Sequence, residues 1–284
     1  MVTPFGADGS LDLGGAVTLA THLVDEGGND GLVLSGTTGE SPTTSDAEKE
    51  LLLRAVVEAV GDRATVVAGV GTSDTAHSVE LARTAEAAGA DGLLLVSPYY
   101  SRPPQTGLVQ HVRTVADATG LPILLYDIPV RTGVAFTTES LVRLAEHDRV
   151  AGVKDAKGDL GAATEVMART DLAYYSGEDM LNLPLLSVGA VGFVSVVGHL
   201  VGDRLRGMLD AYEAGDVRGA LEINRSLLPV CIGIFRTQGV IMTKAALRLL
   251  GLPGGPMRLP LVDATEDQVN VLRADLAAGA VKID

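Results

Sequence analysis

Seven short apolar runs recur along the chain, at residues 31–35, 64–68, 92–96, 122–126, 150–154, 172–175 and 192–196, and none shows clean polar alternation. A strand with one face in water alternates apolar and polar side chains. A run that is apolar throughout is covered on both faces, as in a parallel sheet flanked by helices. Between the runs lie segments with apolar residues three and four apart, such as residues 46–60, which Ser45 and Glu48 introduce with capping-box spacing. Gly61, Gly89 and Gly120 stand where helix C-caps are expected. Met1-Val2-Thr3 supplies the end of an eighth strand, and eight βα units close into a parallel barrel. An open doubly wound sheet is the alternative, but it places a glycine-rich phosphate turn after its first strand. Gly69-Val70-Gly71, after the third strand, matches that turn only in part and reads as a tight βα loop. From about Val217 the strand signal stops, and helical patterns take over at residues 217–228, 238–250 and 265–278. The expected fold class is therefore α/β, a (β/α)8 TIM barrel over residues 1–216 with a C-terminal helical appendage over 217–284.

Charge narrows the partners. A net charge of −14 excludes nucleic acid and anionic membrane surfaces, which demand clustered Lys and Arg, so an anionic substrate requires a local positive pocket. The single cysteine, Cys231, forms no internal disulfide, and no leading basic and apolar segment reads as a signal peptide. A cytoplasmic location is expected. Residues 180–202 carry no charged side chain, yet Asn182, Pro184, Gly189, Gly192, Gly198 and His199 interrupt them. They read as a short helix and a buried strand rather than one membrane span.

Lys154 ends the apolar run Val150-Ala151-Gly152-Val153-Lys154, where a soluble protein rarely buries an ammonium group. With a period of two it shares a face with Gly152 and Val150, and the missing side chain at Gly152 leaves room for a small ligand. Desolvation lowers a lysine pKa and makes the amine a nucleophile able to form a Schiff base with a carbonyl substrate. Alone, such a lysine reads equally as one that reaches solvent or pairs with Asp155. In these barrels, however, active sites lie at the C-terminal strand ends. There the chain places Thr37-Thr38-Gly39-Glu40, Pro98-Tyr99-Tyr100 with Arg102, Tyr126-Asp127-Ile128-Pro129 with Arg131, and Lys154. The chemistry that fits is condensation of Lys154 with a 2-oxo acid. Tyr126 would move protons, Thr37 and Thr38 would meet the substrate carboxylate, and Arg131 would offer a bidentate fork to a second carboxylate. No metal or other cofactor is needed, because the five histidines are scattered.

Together these segments resemble the dihydrodipicolinate synthase family, also called 4-hydroxy-tetrahydrodipicolinate synthases, within the pyruvate-dependent class I aldolases. The resemblance covers nearly the whole chain. It is carried by Gly36-Thr37-Thr38-Gly39-Glu40-Ser41, Pro98-Tyr99-Tyr100 with Arg102-Pro103, Tyr126 to Pro129 with Arg131, and Gly152-Val153-Lys154. Asp155-Ala156-Lys157-Gly158-Asp159 and Tyr174-Tyr175-Ser176-Gly177 are similar to the actinobacterial branch, whereas Asp127 stands where many members have asparagine. The resemblance implies condensation of pyruvate with L-aspartate 4-semialdehyde in lysine and diaminopimelate biosynthesis. It implies Lys154 as the Schiff-base lysine and Tyr126 as proton donor and acceptor. Thr37 and Tyr100 complete a proton relay, with Tyr100 serving a neighbouring subunit of a homotetramer built as a dimer of dimers. Thr38 and Val194 contact pyruvate, and Arg131 orients the semialdehyde carboxylate. The rivals are another pyruvate-dependent aldolase or lyase, such as one like the N-acetylneuraminate lyases, which typically lack this arginine, and a non-catalytic barrel that serves as a binding module.

Overall fold

The computed structural model describes residues 1–283, in two compact units. The first comprises Met1–Thr65 with the described residues from Ser195 onward, the second Val66–Val194. In the first unit lie α1 (Leu13–Asp25), β1 (Gly31–Leu34) and α2 (Asp46–Val60). The second runs from β2 (Thr65–Gly69) through α3 (Thr75–Ala87), β3 (Gly92–Val96), α4 (Gln105–Ala116) and β4 (Ile123–Asp127) to α5 (Pro129–Thr132), α6 (Thr138–Leu144) and β5 (Val150–Asp155). It continues with α7 (Leu160–Arg169), β6 (Ala173–Ser176), α8 (Asn182–Leu186) and β7 (Gly192–Phe193). The chain then returns to the first unit as α9 (Gly198–Glu213), α10 (Val217–Ile234), α11 (Gly239–Leu249) and α12 (Glu266–Ala278).

In the second unit β2 to β7 pair in chain order, all parallel. Each βα crossover returns the chain to the same edge, so consecutive strands become neighbours. Leu93, Leu95, Ile123, Leu125 and Val153 are buried, and β3 to β5 are buried along nearly their whole length, the result expected of strands without polar alternation. The register sets Val96 beside Tyr126, Tyr126 beside Lys154, and Lys154 beside Tyr175. Gly71, just past β2, is obligatory: a Cβ there would lie 2.5 Å from the Val96 nitrogen.

Helix α2 begins as its sequence dictates. Ser45 accepts from the Glu48 N–H, and the Glu48 side chain accepts from the Ser45 N–H. Three expectations change. Gly120 lies beyond the C-cap of α4, which is Asp117. The last strand ends at Phe193 rather than residue 196, because Ser195 Oγ turns the chain by accepting from the Gly198 N–H at 2.9 Å. The eighth strand is not formed among the described residues. Met1 N donates to Val33 O at 2.6 Å, but the Val2 N–H, which a strand would give to a neighbouring carbonyl, donates to His199 Nε2 at 3.0 Å. Burial first, then the nearby chain-terminal ammonium, pushes His199 down to about 3, so its ring is neutral and able to accept. The uncharged stretch at residues 180–202 is broken into α8, β7 and the start of α9, and no single helix among the described residues is long and apolar enough to cross a membrane.

The first unit buries a charge network. Lys244 of α11, fully buried, pairs with Glu40 Oε1 at 2.5 Å, donates to Pro256 O at 2.8 Å, and lies over the Phe5 ring. Arg258 stacks on the same ring, donates its N–H to Glu40 Oε2 at 3.1 Å, and forks onto Glu48. That fork pulls the Glu48 carboxyl down to about 2. Removing one partner of a buried pair leaves the other charge uncompensated. Lys244→Met should therefore lower unfolding free energy by about 3–5 kcal/mol in chemical denaturation, and Lys244→Met with Glu40→Gln should recover part of that loss.

Candidate active site

The second unit brings Tyr126 and Lys154 together. They are register partners on β4 and β5, and Lys154 Nζ sits 4.2 Å from the centre of the Tyr126 ring. Only 8% of Lys154 is exposed. Burial pushes its pKa down to about 8, with the Asp179 carboxylate opposing the shift and the Arg131 guanidinium adding to it. A neutral, nucleophilic amine is thus a substantial species near neutral pH, about a tenth of the total at pH 7.

The glycine that makes room for this amine is not the expected one. A Cβ at Gly152 would strike Ala173 O at 2.3 Å, so that glycine serves the approach of β6. A Cβ at Gly177 would lie 2.8 Å from Lys154 Cγ and 2.9 Å from Cε, so Gly177 is the residue that admits the lysine stem. Asp155 does not pair with Lys154. Its Oδ1 accepts instead from the Lys157 and Gly158 N–H groups, both at 3.0 Å.

Loops at the strand ends carry the other candidates. Tyr100 follows β3 with a left-handed φ of 72° and is 93% exposed. Arg131 is exposed on the single turn α5, and Gly133, with φ of 78°, closes that turn. Arg102 Nε donates to Gly133 O at 2.9 Å, tying the Tyr100 loop to the Arg131 loop. Val194 is half-buried just after β7, and its N–H donates to Ser176 O at 2.7 Å.

Thr37 and Thr38 belong to the first unit, in the turn after β1. Both are half-buried, and the turn is tight: the Gly39 and Ser41 N–H groups donate to Gly36 O, and the Glu40 N–H to Thr37 O. Glu40 has φ of 53°, a strained backbone held in place by its side chain's contacts to Lys244 and the Arg258 N–H. The acid of the Thr-Thr-Gly-Glu motif is therefore an anchor for the turn.

This geometry matches known proteins throughout its length. The model of the Dihydrodipicolinate synthetase family matches residues 1–279. The chain belongs to this family. It is 68% identical over 98% of its length, and 90% of the relative's, to the 4-hydroxy-tetrahydrodipicolinate synthase of Acidothermus cellulolyticus. It is 66% identical, over its full length and 94% of the relative's, to 4-hydroxy-tetrahydrodipicolinate synthase 2 of Streptomyces coelicolor. Among solved structures, the dihydrodipicolinate synthase of Cyanidioschyzon merolae with lysine bound superposes with a TM-score of 0.97 at 39% identity, covering 99% of this chain and 97% of that one. The chain thus has the (β/α)8-barrel fold of the dihydrodipicolinate synthetase family, with helices at its C-terminal end.

Within this family member, two residues near Lys154 escaped the sequence reading. Asp179, 4% exposed, accepts from Asn182 Nδ2 at 3.3 Å and supplies the negative field at Lys154. Gly177 supplies the space. Their signal was the Gly177-Glu178-Asp179 sequence directly after a strand end. Gly177→Ala should displace the Lys154 stem. Pyruvate-dependent labelling should fall by about tenfold or more, while the thermal midpoint should move by only a few degrees in calorimetry.

Proposed function

We propose that this chain condenses pyruvate with L-aspartate 4-semialdehyde, the 4-hydroxy-tetrahydrodipicolinate synthase reaction of lysine and diaminopimelate biosynthesis, and is a Schiff-base lyase. The observation that carries the reading is the buried amine of Lys154, with a pKa of about 8, against the Tyr126 ring. Lys154 Nζ attacks C2 of pyruvate, and water leaves to form an iminium. Loss of a C3 proton then gives an enamine, whose C3 attacks the aldehyde carbon of the acceptor. Tyr126 is the proton carrier beside that nitrogen, with Thr37 and Tyr100 completing its relay. Thr38 and Val194 contact pyruvate, and the exposed guanidinium of Arg131 receives the acceptor carboxylate.

The exposure of Tyr100 suits a side chain that completes a neighbouring subunit's site, so the assembly is read as a homotetramer made of a dimer of dimers. Residues 1–216 are taken as the catalytic barrel and 217–284 as its helical appendage, working in the cytoplasm without a cofactor. The identity of 68% with a named synthase and the barrel fold support the whole reading.

Incubation with pyruvate and borohydride, followed by peptide mapping, tests it. The expected result is an adduct on Lys154 that L-aspartate 4-semialdehyde depletes. An adduct indifferent to the semialdehyde would point to another acceptor, and no adduct in folded protein would overturn the mechanism. Because only the neutral amine attacks, and burial lowers its pKa, the initial trapping rate should rise with pH through a midpoint near 8. An ordinary lysine would keep rising beyond pH 10.

A further inference from the structure

Asp127 ends β4, one residue beyond Tyr126, and is 1% exposed. Its Oδ1 accepts from the Phe136 N–H at 3.3 Å, nine residues onward, which closes the loop that bears Arg131. Its Oδ2 lies 3.8 Å from Lys157 Nζ, three residues past Lys154 on the continuation of β5. Its own carbonyl accepts from the Ala156 N–H at 2.9 Å. A single buried residue thus touches the far end of the Arg131 loop and the segment that follows the Schiff-base lysine.

The loop is one helical turn, braced inside by Thr132 Oγ1, which donates to Ile128 O at 3.1 Å or Val134 O at 2.9 Å. From outside, it is also held by Arg102 at Gly133 O and by Gln105, which donates to Ala135 O at 2.8 Å and accepts from the Thr137 N–H at 3.0 Å; Asp127 is the acidic partner, the one that also meets the segment after Lys154. Where so short a loop places an exposed arginine depends on where its two ends are fixed. One end is β4 itself; the other is the buried Phe136, whose N–H Asp127 accepts and whose two neighbours Gln105 holds from α4. Burying the Asp127 carboxylate costs free energy that the Lys157 ammonium offsets. Burial raises its pKa to about 6 even with Lys157 and the Phe136 N–H opposing, so the group is mainly ionised at pH 7 and depends on its cation.

We propose that Asp127 and Lys157 are positioning residues that hold the Arg131 loop in register with Lys154 and so set affinity for the acceptor substrate. The proposal rests on the reaction assigned above and deepens it. Asp127→Ala removes the anchor. Lys157→Met leaves the buried carboxylate without its cation, so the carboxylate turns from Phe136 toward solvent. Asp127→Asn keeps an acceptor for the Phe136 N–H and needs no cation.

Steady-state kinetics with each substrate varied, together with borohydride trapping of the pyruvate adduct, decide the matter. Asp127→Ala and Lys157→Met should each raise KM for L-aspartate 4-semialdehyde about tenfold, with KM for pyruvate and the trapping rate within about twofold of the unsubstituted protein. Asp127→Asn should raise the semialdehyde KM much less, and adding it to Lys157→Met should restore most of the loss. A general structural role would move both KM values together and would not be rescued, and that result overturns the proposal. So does an unchanged semialdehyde KM in Lys157→Met. If the unsubstituted protein forms no pyruvate adduct, the assigned reaction itself falls, and this proposal with it.

Discussion

Keeping the Lys154 amine out of water is the constraint around which the second unit is arranged. A displacement of its pKa from 10.5 to about 8 corresponds to roughly 3 kcal/mol opposing protonation, a large share of a domain's net stability. That opposition is sustained only if water stays away, and β5 is buried beside equally apolar neighbours for this reason. The lysine stem needs a path through the packed layer, which Gly177 leaves open. The ring of Tyr126 covers the nitrogen without a hydrogen-bonding charge that would restore its ammonium form. The Asp179 carboxylate opposes the shift, and the amine's pKa settles at about 8.

The first unit meets a different problem with the opposite device. The Thr37-Thr38 turn must hold a left-handed Glu40, which costs free energy in an L-residue. A buried ion pair with Lys244, extended by Arg258 to Glu48, fixes the Glu40 side chain and therefore the backbone bearing it. Burial lowers the pKa of both lysines; Lys244 is held against that penalty by Glu40 and the Pro256 carbonyl and acts as a strut, whereas Lys154 lies against the Tyr126 ring. The sequence marks both alike, as a lysine within an apolar segment, at Lys154 and at Lys244.

Much of the architecture was legible because strands covered on both faces advertise themselves. The runs at residues 92–96 and 150–154 lie almost residue for residue on β3 and β5, and the Ser45-Glu48 spacing marked the start of α2. Two of the errors fall where a residue from far along the chain intervenes. Strand pairing at Val2 is lost to the imidazole of His199, and no local pattern near Val2 announces an acceptor 197 residues away. Gly152 was read as the space beside the lysine because period-two alternation placed both on one face. The space belongs to Gly177 on the next strand's exit, which alternation within β5 cannot reveal.

The sequence by itself therefore determined the order of strands and helices, the strand ends at which unusual polar residues gather, and the family, since these depend on local periodicity and on motifs read in place. Only the tertiary structure decided that of two buried lysines Lys244 pairs with Glu40 and Lys154 lies against the Tyr126 ring, that Glu40 braces a turn, and that Asp127 joins the Arg131 loop to the segment after Lys154. Burial and electrostatic environment are sums over neighbours from distant parts of the chain. They acquire a value only when packing has chosen those neighbours.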